Sequence, residues 1–308
     1  AYISHIPVAM DGVCNGMQLL SLLGKDEVGA QKTNCSSDST RYDLYTEVAD
    51  EVMNIINAER HENIISEEWY QKLYNNKSLQ RKTVKRGVMT SPYGVSTRGI
   101  QTQLIGDKFC NNMDASRDEA ASYMTYCIQN AMSKVNGKAV EIMAWLQEAS
   151  RVVTDSGNEV VWNTPLGLRV TQGYWYQDKK KISTVLGDII LWKTDSDLGL
   201  DHKKNAGAMS PNFIHSLDAA MLQLTAIKMA DGGHNDFAFI HDSYGTHASA
   251  VEELHATLRE AAHEIFSQDV LIEFKESVEL RNDIKLPSLP TPGNFDISEI
   301  HKAAYFFS

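Results

Sequence analysis

The sequence lacks several features that would each narrow the class of protein. No stretch approaches the roughly 20 apolar residues of a membrane-spanning helix, so we expect no membrane partner. The 308 residues include only 4 cysteines, with no CxxC pair and no zinc-ligand spacing. This pattern indicates reduced thiols in a reducing compartment. The first residues have neither the basic start nor the small-residue cleavage site of a signal peptide.

Acidic residues are missing between Glu68 and Asp107, although the formal net charge of the whole chain is −11. Every charged side chain inside this window is a lysine or an arginine. An acidic protein is not expected to carry a large nucleic-acid surface, because phosphate binding goes with a basic balance. The window is therefore compatible with a local anion-binding face on a protein that is acidic overall.

Hydrophobic periodicity predicts many helices interrupted by a few strands. No internal repeat, low-complexity tract or flexible linker is visible, so we expect one interwoven α+β unit that is mainly helical. The predicted helices cover 39–59, a segment capped by Ser66, 78–91, two helices in 115–153 with a break near Asn136, a segment after Pro211, and one begun by a capping box of Ser249 and Glu252. The predicted strands are a short piece before Asp11, a β-ribbon within 159–193, and a hairpin within 237–248, with a polar loop over 194–205.

Three short stretches carry the residues that could do chemistry. Asp11 ends an apolar strand in "AMDGVCNG"; Arg81 and Lys85 are four apart in "RKTVKRGVMTSPYG"; His241 and Asp242 lie at a predicted hairpin tip in "FIHDS". Taken singly, each has a plain structural explanation: a turn, a solvated basic face, or a turn carboxylate.

Taken together, the three stretches indicate phosphoryl chemistry. Two carboxylates at strand ends can hold a pair of hard divalent cations, which clamp the attacking and leaving oxygens of an in-line displacement. Arg81 and Lys85 share a helix face, where they can neutralise a triphosphate.

The stretches "DGVCNG", "RxxxKRxxMTxxYG" and "HDS" resemble motifs A, B and C of the single-subunit, bacteriophage-type DNA-directed RNA polymerases, a family that includes the mitochondrial enzyme. Supporting stretches run in order along nearly the whole chain, among them "DLYTEVA", "SPNFIHSLDAAML" and the aromatic end "AYFFS". The resemblance implies the palm and fingers of a right-hand polymerase, with an antiparallel palm sheet. It also implies transfer of ribonucleoside triphosphates to an RNA 3′ end on a DNA template, with release of pyrophosphate.

The same resemblance implies a role for each matching residue around the metals. Asp11 and Asp242 would be the catalytic aspartates that bind two Mg²⁺ ions, and the carbonyl of Gly12 would be a further ligand. His241 would support Asp242 in its position.

It also implies a nucleotide-binding set. Lys85 would contact the triphosphate and give a proton to pyrophosphate, with Arg81 beside it. Tyr93 would lie under the new base pair and help to select ribose, and His215 would lie near that tyrosine, although a buried core histidine is the plain alternative for His215. Related DNA polymerases carry a glutamate where this chain has Gly16, and its absence would leave room for a ribose 2′-hydroxyl.

The resemblance predicts three segments. Residues 1–27 would be palm with motif A, 28–215 the fingers with motif B and the β-ribbon, and 216–308 palm with motif C and a C-terminal foot. The loop around 192–204 would take the place of the promoter specificity loop, but it is short.

Because the chain begins shortly before Asp11, we expect a second polymerase subunit to supply the N-terminal domain, the thumb and the rest of the palm, as in a split, heterodimeric phage enzyme; a fragment is the alternative. We expect the protein to act in the cytoplasm of an infected bacterial host, with an organelle as the alternative.

Two other functions stay open: a metal-dependent phosphohydrolase or nuclease that uses His241, Asp242 and His247, and a non-catalytic subunit of a nucleic-acid-processing assembly.

Overall fold

The computed structural model describes residues 5–194 and 197–308. Four of the residues that bear on the predictions therefore lie outside the described part: Ile3 and Ser4 of the first extended piece, and Asp195 and Ser196 of the predicted polar loop. The described residues form a mainly helical α+β fold with three small antiparallel sheets, as the sequence predicts.

The elements are numbered in chain order. The α-helices of the described residues are α1 Asn15–Leu23, α2 Glu27–Lys32, α3 Leu44–Glu59, α4 Ile64–Leu73, α5 Lys77–Thr90, α6 Thr97–Gly106, α7 Arg117–Val135, α8 Gly137–Asp155, α9 His202–Asp231, α10 Val251–Phe266 and α11 Val270–Asn282. The strands are β1 Val8–Asp11, β2 Val160–Asn163, β3 Arg169–Gln172, β4 Gln177–Thr184, β5 Gly187–Thr194, β6 Phe237–Ile240 and β7 Ser243–Thr246. Short 3₁₀ helices cover Ala248–Ala250 and Ile297–Lys302.

A three-stranded antiparallel sheet joins the start of the chain to its C-terminal third. β7 is the central strand, between β1 and β6. Asp11 and Ile240 both lie opposite Ser243, so His241 and Asp242 form the two-residue turn of the β6–β7 hairpin. The predicted hairpin is thus confirmed, and it brings Asp242 beside the end of β1.

The helices bury their apolar faces against one another. α3 packs on α5 and α7, while α9 packs on α8 and α10. Val48, Val52 and Ile56 of α3 follow a spacing of four residues and are at most 1% exposed. Each such side chain contributes about 1.5–3 kcal/mol to the free energy of folding through its burial. No described helix has the length and apolar content to cross a membrane.

The region predicted as one β-ribbon forms two separate hairpins. β2 pairs with β3, and β4 pairs with β5. Every residue of β4 and β5 is exposed, so this second hairpin projects from the body. β5 continues to Thr194 and α9 already begins at His202, so the two ends of the segment predicted as a polar loop are regular structure.

The first long helix begins later than its apolar spacing predicts. α3 begins at Leu44, not near residue 39, because side chains hold the preceding segment in a loop. The Asn34 side chain accepts from the N–H of Tyr42 and donates to its carbonyl, and Asp38 accepts from the N–H of Thr40. Such local bonds from Asn and Asp compete with helix formation.

Two predicted helix caps are wrong. Asn63, not Ser66, caps α4, because its side chain accepts from the backbone N–H groups of Ile65 and Ser66. The Ser66 hydroxyl instead donates to the carbonyl of Ile56. No side-chain cap bond forms at the start of α10, because a 3₁₀ turn that includes Ser249 leads directly into the helix.

Pro211 does not begin a helix but lies inside α9. A proline cannot donate the backbone bond to the carbonyl four residues earlier, which here is that of Gly207. A Cβ built on Gly94 would lie 2.8 Å from this carbonyl oxygen and 2.7 Å from Pro211 Cγ. The glycine that follows Tyr93 therefore lets the motif B turn pack against the proline-containing part of α9.

Candidate active site

A cavity of about 780 Å³ opens where the turn of the β6–β7 hairpin faces the starts of α1 and α3 and the faces of α5 and α9. Nearly all the residues predicted for the site line it. Asp11 is exposed and is not among the lining residues, but the next residue, Gly12, is. The lining residues are Gly12, Val13, Cys14, Asn15, Gly16, Arg41, Tyr42, Asp43, Tyr45, Arg81, Lys85, Met89, Thr90, Tyr93, His215, Asp218, His241 and Asp242.

The two predicted catalytic aspartates are neighbours across the sheet, although 231 positions separate them (242 − 11). Asp11 lies opposite Ser243 in the β1–β7 ladder, and the N–H of Gly12 donates to the Asp242 carbonyl at 3.1 Å. Asp242 is half-buried and lines the cavity. The sheet therefore fixes the backbone of both carboxylates at the same end.

The C-terminal segment braces β1 from its other side. The N–H of Ser308 donates to the Asp11 carbonyl at 3.2 Å, and the N–H of Asp11 donates to the Ser308 carbonyl at 3.5 Å. The Gln18 amide donates to the carbonyl of Phe306 at 2.7 Å, and Phe307 packs edge-on against Tyr244 with ring centroids 5.4 Å apart. Sequence reasoning noted the aromatic end but missed its contact with Asp11.

The donor groups at this end of the sheet fit a metal that completes its shell with substrate. Among residues 5–194 and 197–308, no group of three or more His, Cys, Asp or Glu side chains could hold a metal ion. Mg²⁺ binds through one or two carboxylates together with substrate phosphates and water. Asp11 and Asp242 match that set, whereas a site built wholly from protein ligands is not found in the described residues.

Arg81 is held by a carboxylate that the sequence reasoning did not single out. Its Nε and one terminal nitrogen donate to the two oxygens of Asp43, at 2.5 and 3.1 Å. Burial acts to raise the pKa of Asp43, but hydrogen bonds from Arg81 and Thr46 outweigh it, so this pKa lies below its ordinary value. The hydrogen bond to Asp43 likewise raises the pKa of Arg81.

Tyr45 connects both motif B cations to motif A. The Arg81 guanidinium carbon lies 5.2 Å and the Lys85 ammonium 5.7 Å from the centroid of its ring. Its hydroxyl hydrogen-bonds the thiol of Cys14. Burial, the largest influence, raises the pKa of this thiol to about 11, so Cys14 is a neutral group at physiological pH.

Most other cations of the acid-free window are paired away from the cavity. Lys77, Arg86 and Arg98 form ion pairs with carboxylates outside the window, at 2.5 to 3.1 Å. Within the described residues, no carboxylate lies within 4 Å of the Lys85 ammonium. Arg81 and Lys85 are thus the charged residues of the window that line the cavity, and of these two Lys85 is the one without a carboxylate partner in the described residues.

Tyr93 and His215 form a stacked pair, with ring centroids 4.8 Å apart and planes at 16°. Burial raises the pKa of the Tyr93 phenol above its ordinary value, and the charges of Asp242 and Asp218 act in the same direction. His215 is exposed toward the cavity, so the alternative of a buried core histidine does not hold.

The space beside Gly16 is filled by its neighbours. A Cβ there would lie 2.7 Å from Pro92 Cβ and 3.1 Å from Tyr93 Cζ. The missing side chain thus lets Tyr93 approach α1 closely and does not leave an open pocket. A role of Gly16 in sugar choice stays a prediction, and it would act through Tyr93.

Asp218 and Asn15 are site residues that sequence reasoning missed. The Asn15 amide donates to an Asp218 oxygen at 2.7 Å, and both side chains are buried. Burial raises the pKa of Asp218; the hydrogen bond from Asn15 opposes this, and the charge of Asp242 adds to it. The available signal was the spacing of three residues between His215 and Asp218, which places both on one face of α9.

Two cavity residues hold left-handed backbone conformations. Cys14, just before α1, has φ 58°, and His241, in the hairpin turn, has φ 55°. A side chain in this region costs of order 1–3 kcal/mol, and such strain concentrates at functional sites. His241 directly precedes the predicted ligand Asp242, and Cys14 lies two residues after the predicted ligand Gly12.

His247 lies apart from this constellation. It is at the far end of β7, where its Nε2 is 3.5 Å from a carboxylate oxygen of Asp236, and it does not line the cavity. The set of His241, Asp242 and His247, on which a hydrolase would depend, is therefore not assembled around the cavity.

The fold and the site together define a class: a mainly helical α+β protein with two neighbouring carboxylates at one end of a small antiparallel sheet, beside a cavity that a helix lines with Arg and Lys. The sequence profile of the DNA-dependent RNA polymerase family matches residues 1–283. This chain belongs to that family.

Individual relatives agree with this membership. The chain is 33% identical, over its full length, to DNA-directed RNA polymerase 1, mitochondrial, of Arabidopsis thaliana, of which it covers 32%. It is 34% identical to DNA-directed RNA polymerase 2B, chloroplastic/mitochondrial, of Nicotiana tabacum, with 99% of the chain and 30% of that protein covered. DNA-directed RNA polymerase 2A of the same species is also 34% identical, and 93% of its length is covered. The chain thus spans about a third of the first two relatives.

Proposed function

We propose that this chain is the catalytic palm-and-fingers part of a DNA-directed RNA polymerase. It adds ribonucleotides to an RNA 3′ end on a DNA template and releases pyrophosphate. The observation that carries the proposal is the adjacency of Asp11 and Asp242 across the sheet, with Asp242 lining a cavity that also presents Arg81 and Lys85. Membership of the polymerase family supports it.

The chain's own residues bind and orient the triphosphate. Arg81 and Lys85 contact the phosphates from one face of α5, and Lys85, which has no ionic partner in the described residues, gives a proton to the departing pyrophosphate. The stacked rings of Tyr93 and His215, which line the same cavity, contact the sugar and the new base pair. Catalysis here consists mostly of positioning and charge stabilisation.

Asp11, Asp242 and the Gly12 carbonyl would hold two Mg²⁺ ions. A divalent requirement is what membership of this family implies; the choice of Mg²⁺ and the number of ions are our proposals, supported by the two-carboxylate donor set. When bound, such a pair stabilises the attacking and leaving oxygens of the displacement. His241 supports Asp242 from the adjacent position of the turn.

We further propose that residues 1–27 and 216–308 form palm and that 28–215 form fingers. The sheet of β1, β6 and β7 supports a palm built from both ends of the chain, although α9 runs without a break across position 215. The DNA template, the RNA product and ribonucleoside triphosphates are the partners. A second subunit would supply the N-terminal domain, the thumb and the rest of the palm.

The site of action is proposed from the names of the relatives. Two of them are called mitochondrial or chloroplastic, which supports an organelle, the alternative raised by the sequence. The cytoplasm of a bacterium infected by a phage stays a prediction.

Primer extension tests the proposal. The purified chain, together with the proteins that co-purify with it, is given an RNA primer on a DNA template, ribonucleotides and Mg²⁺. Asp11→Asn and Asp242→Asn should each lower extension by at least about a hundredfold, the scale of losing a major transition-state stabiliser. Asp236→Asn is the matched control, because Asp236 precedes the same hairpin at its other end and pairs with His247.

Near-wild-type extension by both Asp11 and Asp242 variants, beside an active wild type, would contradict the metal assignment. An assembly that stays intact but shows no template-dependent synthesis with the wild-type chain would favour a non-catalytic subunit. Loss of activity on His247→Ala, with no need for a triphosphate, would favour the hydrolase.

A further inference from the structure

A closed ring of contacts surrounds the Tyr93 side of the cavity. Tyr93 stacks on His215, and its ring lies so close to Gly16 that a Cβ there would be 3.1 Å from Tyr93 Cζ. Asn15, the neighbour of Gly16, donates to Asp218. Asp218 lies three residues after His215 on α9, which closes the ring. Three separate elements, α1, the turn after α5, and α9, are joined in this way.

The bond between Asn15 and Asp218 is a buried one. Its length is 2.7 Å, and the two side chains are 3% and 7% exposed. The oxygen atom of the same Asn15 amide, Oδ1, is also buried, and it has no hydrogen-bond partner in the described residues. Because buried polar groups are normally paired, Asp218 is the group that fixes the Asn15 side chain.

The wall that carries His215 and Asp218 is thin. A second cavity of about 370 Å³ lies against these two residues and against His241, with Leu222 and Gln223 also at its edge. Both cavities are thus lined by His215, Asp218 and His241. α9 itself packs on α8 and α10, and the bond between Asp218 and Asn15 ties its cavity side directly to α1.

We propose that Asp218 is a positioning residue for sugar selection: through Asn15 it ties α9 to α1 and thereby holds the His215 ring against Tyr93. This inference rests on the proposed polymerase function. Asp218 touches no nucleotide in this proposal. It acts by keeping the Tyr93 hydroxyl and the His215 ring at fixed separation.

The test compares ribonucleotide with deoxyribonucleotide incorporation in the assembled polymerase. Asp218→Ala should lower the ratio of kcat/KM for the two sugars by about fivefold, the scale seen when residues in contact are coupled. Asp218→Asn should restore the wild-type ratio, because an asparagine oxygen still accepts from Asn15. The ratio cancels any effect on the metals or on the triphosphate that is common to both sugars.

A double-mutant cycle adds a second variant. Asn15→Ala should change the ratio as Asp218→Ala does, and the double variant should change it no further. The matched control is Thr225→Val, a buried side chain of α9 whose hydroxyl bonds the Met221 carbonyl. It should leave the ratio unchanged.

Distinct results overturn the proposal. An unchanged sugar ratio in Asp218→Ala removes the positioning role, and so does an Asp218→Asn variant that behaves like Asp218→Ala, because the charge and not the bond then matters. If Asp218→Ala does not fold, Asn15→Ala tests the same bond from its other end. Failure of the polymerase function itself shows separately, as a wild-type assembly that incorporates neither sugar.

Discussion

The Arg81 guanidinium donates to both carboxylate oxygens of Asp43, across the contact between α5 and α3. Both side chains are a little over one-third exposed and line the cavity. A guanidinium has five N–H donors in a fixed plane, so two are used by Asp43 and the others stay free for a substrate. Asp43 therefore orients Arg81 without consuming its capacity to bind phosphate.

Arg81→Lys should weaken triphosphate binding. A lysine cannot make the two parallel bonds to Asp43 and still present further donors in a fixed plane. We expect KM for ribonucleotides to rise about tenfold, a loss of about 1.4 kcal/mol, with a smaller change in kcat. The measurement is steady-state primer extension over a range of nucleotide concentrations.

Arg86→Lys is the matched control for this change. Arg86 is on the same helix and pairs with Asp107 at 2.8 Å, but it does not line the cavity. It should leave KM unchanged. Equal effects of the two substitutions would mean that Arg81 contributes only to the packing of the helices.

Gly16→Ala should destabilise the protein and disturb Tyr93. The new Cβ would lie 2.7 Å from Pro92 Cβ, closer than real Cβ contacts allow, so the turn after α5 must move. Overpacking of this kind costs about 1–3 kcal/mol. We expect a lower midpoint of thermal unfolding together with poorer discrimination against deoxyribonucleotides in primer extension.

Gly106→Ala serves as the control for adding a methyl group at a helical glycine. Apart from its chain neighbours and the nearby backbone of its own helix, no atom lies within 4 Å of a Cβ built on Gly106. Alanine should stabilise the helix there by about 0.5–1 kcal/mol. If Gly16→Ala shared this gain and kept the wild-type sugar preference, the close approach of Tyr93 would have no functional meaning.

Much of the site followed from sequence because strand ends and helix faces are local features. Asp11 ends an apolar strand, Arg81 and Lys85 are four apart, and Asp242 is in a two-residue hairpin turn, so each could be assigned to its element from spacing alone. The sheet then had to bring the two aspartates together, because both lie at the same end of paired strands.

The residues that hold the site residues in place, such as Asp43 and Asn15, could not be predicted from the sequence in the same way. Asp43 reaches Arg81 across 38 residues, and Asn15 reaches Asp218 across 203. Neither bond leaves a periodic signal, because each depends on how helices pack and not on the local sequence. The misplaced start of α3 has a related cause: side-chain bonds in the loop before it outweigh apolar spacing that would otherwise extend the helix.

His241→Gly should separate strain from function. His241 has φ 55°, and glycine avoids the steric cost of about 1–2 kcal/mol that a side chain meets there. Glycine also loses about 0.5–1 kcal/mol more conformational entropy on folding, so the free energy of unfolding should rise by roughly 0.5–1 kcal/mol. Extension should nevertheless fall, because the imidazole beside Asp242 is lost. Chemical denaturation and primer extension on the same preparation measure the two effects.

Lys108→Gly is the comparison for strain alone. Lys108 has φ 63° in the turn after α6 and does not line the cavity. It should gain stability and keep wild-type extension. A His241→Gly variant that also kept wild-type extension would show that His241 does not support Asp242.

The Cys14 thiol should report occupancy of the cavity. Burial raises its pKa from 9.0 to about 11, and only the thiolate is nucleophilic. Its alkylation by iodoacetamide should therefore be slow at pH 7 and should accelerate about tenfold per pH unit up to about pH 11. Because the folded-state pKa is the higher one, the stability that this group contributes is fully present below pH 9 and is lost as the pH rises through 11.

Cys14→Ser identifies the reactive group, since Cys35, Cys110 and Cys127 are at most 2% exposed and should stay protected until the protein unfolds. Cys14 lines the cavity, so a ribonucleoside triphosphate with Mg²⁺ should slow its alkylation in the wild-type protein. Mass spectrometry of the modified peptide follows both effects. A rate that levels off near pH 9 would contradict the raised pKa, and a rate unaffected by saturating nucleotide would place triphosphate binding away from this cavity.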